Sequence, residues 1–267
     1  MFCRYYNLTF NPFDKTLPAK HAFQTKDFKE LTSRVDHLVE QGGLGLFCAG
    51  AGFGKTFALR SWTERQNRNR IKFSYVCLST ITTMEFYRML CLEMGLDPAF
   101  RKVDMFRAIQ EHLTYTHAEK SQRTVIALDE AQYLRADILR DLKLLTNFEM
   151  DSRNYLTLIL LGQPLLADLL SRPTNEALRQ RVIVNYTFEG LQANEAPAYA
   201  AALLRSAGGS PDILDEAAVR SAYGVSAGSL RQFNAIITGA LMIGAQHESP
   251  SVTSEMVLSA SEEVRIR

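Results

Sequence analysis

The residues Ala49-Gly50-Ala51-Gly52-Phe53-Gly54-Lys55-Thr56 alternate small residues and end on a lysine and a threonine. Such a run can wrap a phosphate, because small residues let the backbone close in and aim successive N–H groups at the anion. A helix starting there adds its positive N-terminal end. Lys55 would bridge β- and γ-phosphate oxygens, and Thr56 would give its hydroxyl to Mg²⁺. The phosphate-holding set runs from Gly50 to Phe57 and includes Ala51, Gly52, Phe53 and Gly54. The bare alternative is a glycine-rich turn, but a strand before and a helix after are the context a phosphate loop requires.

Roughly 75 residues further on, Val125-Ile126-Ala127-Leu128-Asp129-Glu130 is an apolar run ending in two carboxylates. Asp129 would orient water on Mg²⁺ and Glu130 would polarise the attacking water. A protein that only holds a nucleotide does not need Glu130, so this residue points to ATP as a fuel. The run continues as Ala131-Gln132. Another apolar segment ends at Gly162-Gln163-Pro164, where Gln163 either touches the γ-phosphate or its water, or merely starts a helix. In Leu178-Arg179-Gln180-Arg181 the arginines either pair locally or supply a finger to a neighbouring copy's nucleotide, with Arg181 the first candidate and Arg179 the second. Gly228-Ser229-Leu230-Arg231 opens a helical stretch from which Arg231 either folds over the nucleotide or lies on the surface.

These residues must be positioned by strands and helices. Short apolar runs at 44–48, 73–78, 124–128, 156–161 and 182–188 read as five buried strands. Between them, helical spacing covers 28–41, 56–66, 83–94, 103–115, 136–148 and 164–170. Continuous apolar strands alternating with amphipathic helices predict a mostly parallel sheet covered on both faces. After Leu191 the chain is Ala-rich and helical over 193–207, 215–223, 229–244 and 254–263, with Asn194, Asp212, Ser226 and Thr253 expected as caps. The expected division is a sheet domain over 1–190 and a small all-α domain over 191–267. The strip Leu8-Thr9-Phe10-Asn11-Pro12-Phe13 reads as an anchored loop.

The chain of 267 residues is 46% hydrophobic and 22% charged, ordinary for a globular protein. No apolar run reaches the ~18 to 20 residues that span a bilayer, and the N-terminus lacks the layout of a secretory signal. A cytoplasmic protein without a membrane partner is expected. Cys3, Cys48, Cys77 and Cys91 show no CxxC spacing, and Cys48 and Cys77 fall in the apolar runs, so free thiols are expected. His21, His37, His112, His117 and His247 form no metal-ligand pattern, so any metal should arrive with the nucleotide. Net charge is +1, but residues 1–190 carry 25 Lys+Arg against 21 Asp+Glu, and residues 191–267 carry 5 against 8. Arg60, Arg65, Arg68, Arg70 and Lys72 are opposed locally only by Glu64. They form either a solvated helix end and loop or an edge that meets a phosphate backbone.

Together, the phosphate loop, the Asp-Glu pair, the polar strand tip, the arginine pair and a helical lid with Gly-x-x-Arg resemble the AAA+ ATPases. Within them, Tyr5-Tyr6-Asn7-Leu8-Thr9-Phe10-Asn11-Pro12-Phe13, Asp129-Glu130-Ala131-Gln132, Leu161-Gly162-Gln163-Pro164 and Leu178-Arg179-Gln180-Arg181 resemble the general-secretion ExeA family. Transposon ATPase subunits of the TnsC, TniB and IstB type share the pattern. The resemblance implies an α/β P-loop core with a five-stranded parallel sheet sandwiched by helices, and a C-terminal helical lid. It makes Lys55 and Thr56 the Walker A pair, Asp129 and Glu130 the Walker B pair, Gln163 sensor 1, Arg179 or Arg181 the finger, and Arg231 sensor 2. It places Asn11-Pro12-Phe13 where N-terminal linkers close over the adenine. Ala49 replaces the commoner first glycine, and Gln163 stands where Asn or Thr is more frequent.

The resemblance leaves three function classes open. One is a regulator of transposition that assembles on target DNA with ATP, recruits a transposase, directly or through an adaptor, and dissolves on hydrolysis. It is favoured by the basic stretches Arg65 to Lys72 and Arg101-Lys102, and by an arginine finger that implies a homo-oligomeric ring or filament. It is also favoured by the lack, after the lid, of a membrane helix or cell-wall-binding module. The others are an ATPase energising secretion or envelope assembly, and a helicase or initiator loader.

Overall fold

The structure is a computed structural model that describes residues 2–77, 81–148 and 153–265. The chain runs α1 (Phe2–Tyr5), α2 (Lys26–Gln41), β1 (Gly43–Cys48), α3 (Lys55–Arg65), β2 (Ile71–Cys77), α4 (Thr83–Met94), α5 (Lys102–Lys120) and β3 (Arg123–Asp129). It continues through α6 (Ala136–Leu145), β4 (Leu156–Gly162), α7 (Pro164–Ser171), α8 (Glu176–Arg179) and β5 (Val182–Thr187). Four helices close it: α9 (Ala196–Ser206), α10 (Glu216–Ser226), α11 (Leu230–Gln246) and α12 (Ser254–Arg265).

The five strands form one parallel sheet, as the strand–helix alternation predicts, and the structure sets their order as β2-β3-β4-β1-β5. From β1 the chain goes to the far edge, works back through β3 and β4, and then crosses to β5 on the other side of β1. The order therefore reverses at β1, and crevices at such a reversal lie outside the C-terminal strand ends. Cys48, Asp129 and Gly162 all end strands on that edge.

Sequence and structure part at the sheet's edges. The central strands β1 and β4 are buried throughout, and β3 from its second residue, but the edge strands alternate. In β2, Ser74 and Val76 are buried while Tyr75 and Cys77 are exposed. Cys77 is thus not in a buried strand as its apolar neighbours suggested, because an edge strand has one face uncovered. Leu78 of that expected strand lies outside the described residues. Helix α5 outruns its expected end by five residues to Lys120 and stops where Ser121 turns left-handed at φ +48°. Helix α6 ends early, where the Thr146 hydroxyl donates to the Leu142 carbonyl.

Contacts divide the chain into two compact units. One comprises 31–49 and 62–187, with the sheet and a core that includes Leu44, Leu46, Phe86, Leu128 and Leu158. The other comprises 1–30, 50–61 and 188–267. The expected division was 1–190 and 191–267. What differs is that the N-terminal strip and the phosphate loop group with the helical end. For the strip the reason is apolar: Phe2, Tyr6, Leu8, Phe13 and Leu17 share a buried core with Leu203, Phe233, Ile237 and Val252; the loop is joined by hydrogen bonds from Ser229 and Arg231. The helix caps also differ. Ser229, not Ser226, caps α11, accepting from the Gln232 N–H, while Ser226 closes α10. Glu195 and Asp215, rather than Asn194 and Asp212, precede α9 and α10.

Candidate functional site

In the helical unit, the phosphate loop turns at Gly52 (φ +81°) and Gly54 (φ +92°), left-handed values that favour glycine. Helix α3 starts at Lys55, which is 7% exposed and has its ammonium 3.5 Å from the Gly50 carbonyl. Thr56 is exposed, and the Phe57 ring packs near Phe28. A glycine turn followed by a helix start is the arrangement that can accept an anion, which fits the triphosphate expected there.

Small residues serve a second purpose here that the motif does not reveal. The start of α11 is docked on the loop: the Arg231 N–H donates to the Gly52 carbonyl at 3.1 Å, and the Ser229 hydroxyl to the Ala51 carbonyl at 3.3 Å. A Cβ on Gly52 would come within 2.6 Å of Ser229 Oγ, and one on Gly54 within 2.9 Å of the Leu230 side chain. Arg231 is therefore anchored by its backbone beside the phosphate loop, with its side chain exposed. Phe53 lies against Gly190, where a Cβ would meet its ring at 2.9 Å and the Gly228 carbonyl at 2.7 Å. The buried Asp27 carboxylate fixes this crossing by accepting the N–H groups of Glu189 and Gly190. Of the N-terminal strip, Asn11 accepts the Phe13 N–H, and Pro12 and Phe13 are buried, Phe13 in the apolar core.

In the sheet unit, Asp129 closes β3 and is 3% exposed. Its Oδ1 accepts the Glu130 N–H at 2.8 Å, and its Oδ2 accepts the Tyr75 hydroxyl at 2.5 Å. Glu130 is left-handed at φ +52°, unusual for a side-chain-bearing residue. Its Oε2 accepts from Gln132 Nε2 at 2.6 Å, and Gln132 Oε1 accepts the Gln163 N–H at 3.1 Å. Gln163 precedes α7 in extended conformation, with no hydrogen bond from its side chain to the helix start. Asp129, Glu130 and Gln163 are thereby joined in one hydrogen-bonded chain through Gln132, with Tyr75 attached at Asp129; the sequence singled out no role for Tyr75 and gave Gln132 only as the end of the Asp129–Gln132 run. Tyr75 offered no signal, since only strand pairing brings β2 beside Asp129. Gln132 had one weak signal, its place two residues after Glu130.

Arg179 is the exposed last residue of α8, and Arg181 is half-buried just before β5. The basic stretch separates. Arg65, Arg68 and Arg70 are exposed at the end of α3 and in the turn before β2. Lys72 turns inward: its ammonium donates to the Met94 carbonyl at the end of α4 and lies 3.4 Å from His112. Burial and the nearby Lys120 charge hold the Lys72 ammonium below the usual lysine range. Arg101 pairs with Asp104, and Lys102 with the buried Asp141. Among the described residues, no cluster of three or more His, Cys, Asp or Glu could hold a metal, and no helix is long and apolar enough to cross a membrane.

The chain is 27% identical over 267 residues to general secretion pathway protein A of Aeromonas hydrophila, covering 99% of this chain and 48% of that protein. It is 27% identical over 123 residues to the ATP-dependent target DNA activator B of Escherichia phage Mu, covering 46% of this chain and 37% of that protein. The chain thus spans half or less of these relatives' lengths. Among solved structures, the Aeropyrum pernix ORC2 protein in its ADP form shares the fold with a TM-score of 0.69 at 15% identity, covering 94% of this chain and 72% of that one. Residues 37–170, half of the chain, match the AAA domain family. With a five-stranded parallel sheet, a glycine-rich loop after β1 and an Asp-Glu pair after β3, this protein belongs to that family and is a nucleotide-binding ATPase.

Proposed function

We propose that this ATPase regulates DNA transposition: with ATP it assembles on duplex DNA as a ring or filament, recruits a transposase, and disassembles on hydrolysis. The supporting observation is the exposed set Arg65, Arg68 and Arg70, which offers cations to a phosphate backbone, as a protein akin to a target DNA activator would. In this reading the backbone from Gly50 to Phe57 and the Lys55 ammonium hold the triphosphate. Thr56 and Asp129 would hold Mg²⁺, which neutralises developing phosphate charge. Glu130 orients and polarises the attacking water, with Gln163 at the strand tip beside it. Arg231 reaches over the nucleotide from the lid, and Arg181 or Arg179 reaches a neighbouring copy's site.

Contacts would be mostly to phosphate, so binding should tolerate sequence and weaken steeply with salt. The test is retention of the protein on duplex DNA at low salt with and without ATP, alongside electron microscopy of the mixture. ATP-dependent retention and rings or filaments are expected. No retention, with turnover unchanged by DNA, would sink the reading. The match over 99% of the chain to a secretion protein favours a second reading, an ATPase energising secretion or envelope assembly, and that negative result would support it.

A further inference from the structure

We propose that Gln132 is a positioning residue for hydrolysis, holding the Glu130 carboxylate and tying its orientation to the tip of β4; this rests on the role given to Glu130 above. Gln132 is only 8% exposed, in the short turn Ala131–Tyr133, and both ends of its amide are used. Nε2 donates to Glu130 Oε2 at 2.6 Å, and Oε1 accepts the Gln163 N–H at 3.1 Å. The amide cannot be reversed. A flip would set its oxygen against the carboxylate and its NH₂ against an N–H donor.

Two backbone features are built around this amide. Glu130 is left-handed, a conformation costly for a residue with a side chain and kept where the surroundings over-determine it. Its N–H donates to Asp129 Oδ1 and its carbonyl accepts the Tyr133 N–H, so the turn aims the carboxylate at Gln132. The strand β4 ends on Gly162, where any Cβ would stand 2.7 Å from Gln132 Oε1. The strand tip thus leaves space for the amide and also supplies its donor. One side chain therefore carries any displacement of Gln163 to Glu130, and Gln132, the last residue of the Asp129–Gln132 run, sets where the water-activating carboxylate points.

A merely structural amide would affect stability and not the chemical step. The test is steady-state hydrolysis by the full chain carrying Gln132→Met, of similar size without either bond, and Gln132→Glu. The glutamate keeps the acceptor for the Gln163 N–H and loses the donor to Glu130, so it decides the matter if the methionine variant fails to fold. Both should lower kcat about tenfold or more while leaving KM for ATP within about twofold. In a Glu130→Gln background neither should lower the residual turnover further, since Gln132 acts through Glu130. Wild-type kcat in folded variants, a change confined to KM, or an equal loss in the Glu130→Gln background would each overturn the proposal. Full turnover by Glu130→Gln alone would instead remove the role given to Glu130, a separate and distinguishable failure.

Discussion

The Tyr75 hydroxyl donates to Asp129 Oδ2 at 2.5 Å, so a side chain of the edge strand β2 holds the carboxylate that ends β3. Partners behind a metal-binding carboxylate orient it, and losing one commonly costs 10- to 100-fold in metal affinity or activity, as a rough range. Tyr75→Phe should raise the Mg²⁺ concentration for half-maximal turnover by about tenfold, leaving the fold intact. A magnesium titration of hydrolysis checks this, and an unchanged midpoint would detach Tyr75 from the metal role proposed for Asp129.

Lys55→Ala should abolish nucleotide binding, measured by titration with a fluorescent ATP analogue. Glu130→Gln should keep that binding while slowing hydrolysis by about 10² or more, the usual worth of a positioned base. It should also prolong DNA-bound assemblies, since in the proposed function hydrolysis dissolves them.

The basic residues should behave as two classes. Charge reversal at Arg68 and Arg70, both exposed, should weaken DNA retention and make the salt dependence shallower by about one unit of slope per lost phosphate contact. Lys72→Met should leave DNA retention unchanged, because its ammonium is spent on the Met94 carbonyl. Equal losses in both variants would contradict the division.

Gly190→Ala should destabilise the helical unit by about 1–3 kcal/mol, the usual cost of a strained backbone position. Gly190 sits at φ +81°, and a Cβ there would stand 2.7 Å from the Gly228 carbonyl. Urea unfolding measures the loss.

Asp137 gives a pH test. The Thr83 hydroxyl, and to a lesser degree Arg135, hold its carboxyl down to about 2. A folded value below the unfolded one stabilises above the unfolded pKa and is lost as pH falls through the folded one. Asp137→Asn should thus be less stable than wild type at pH 5, by a small margin because the group is mostly solvated. The gap should narrow between about pH 4 and pH 2. A gap independent of pH would assign the loss to packing.

The amino-acid sequence by itself determined the strand–helix alternation, the phosphate loop and the Asp129-Glu130 pair. Those depend on local rules: apolar period, glycine where the backbone must close on an anion, and carboxylates ending an apolar run. It also exposed the resemblance to AAA+ ATPases. It did not show that Cys77 and Tyr75 face outward, because edge and centre strands read alike until the order β2-β3-β4-β1-β5 is known. It did not sort Lys72 from Arg68 and Arg70, since neighbours in sequence part company once a strand begins and one side chain reaches the end of α4. Nor did it reveal what Gln132 holds, since its partners Glu130 and Gln163 belong to different elements. The burial of Phe13 with Phe233, and the approach of Ser229 and Arg231 to Gly52, were likewise decided only by folding. Contacts between residues far apart in the chain depend on packing that no local pattern encodes, and here that packing sets how the recognised residues are held.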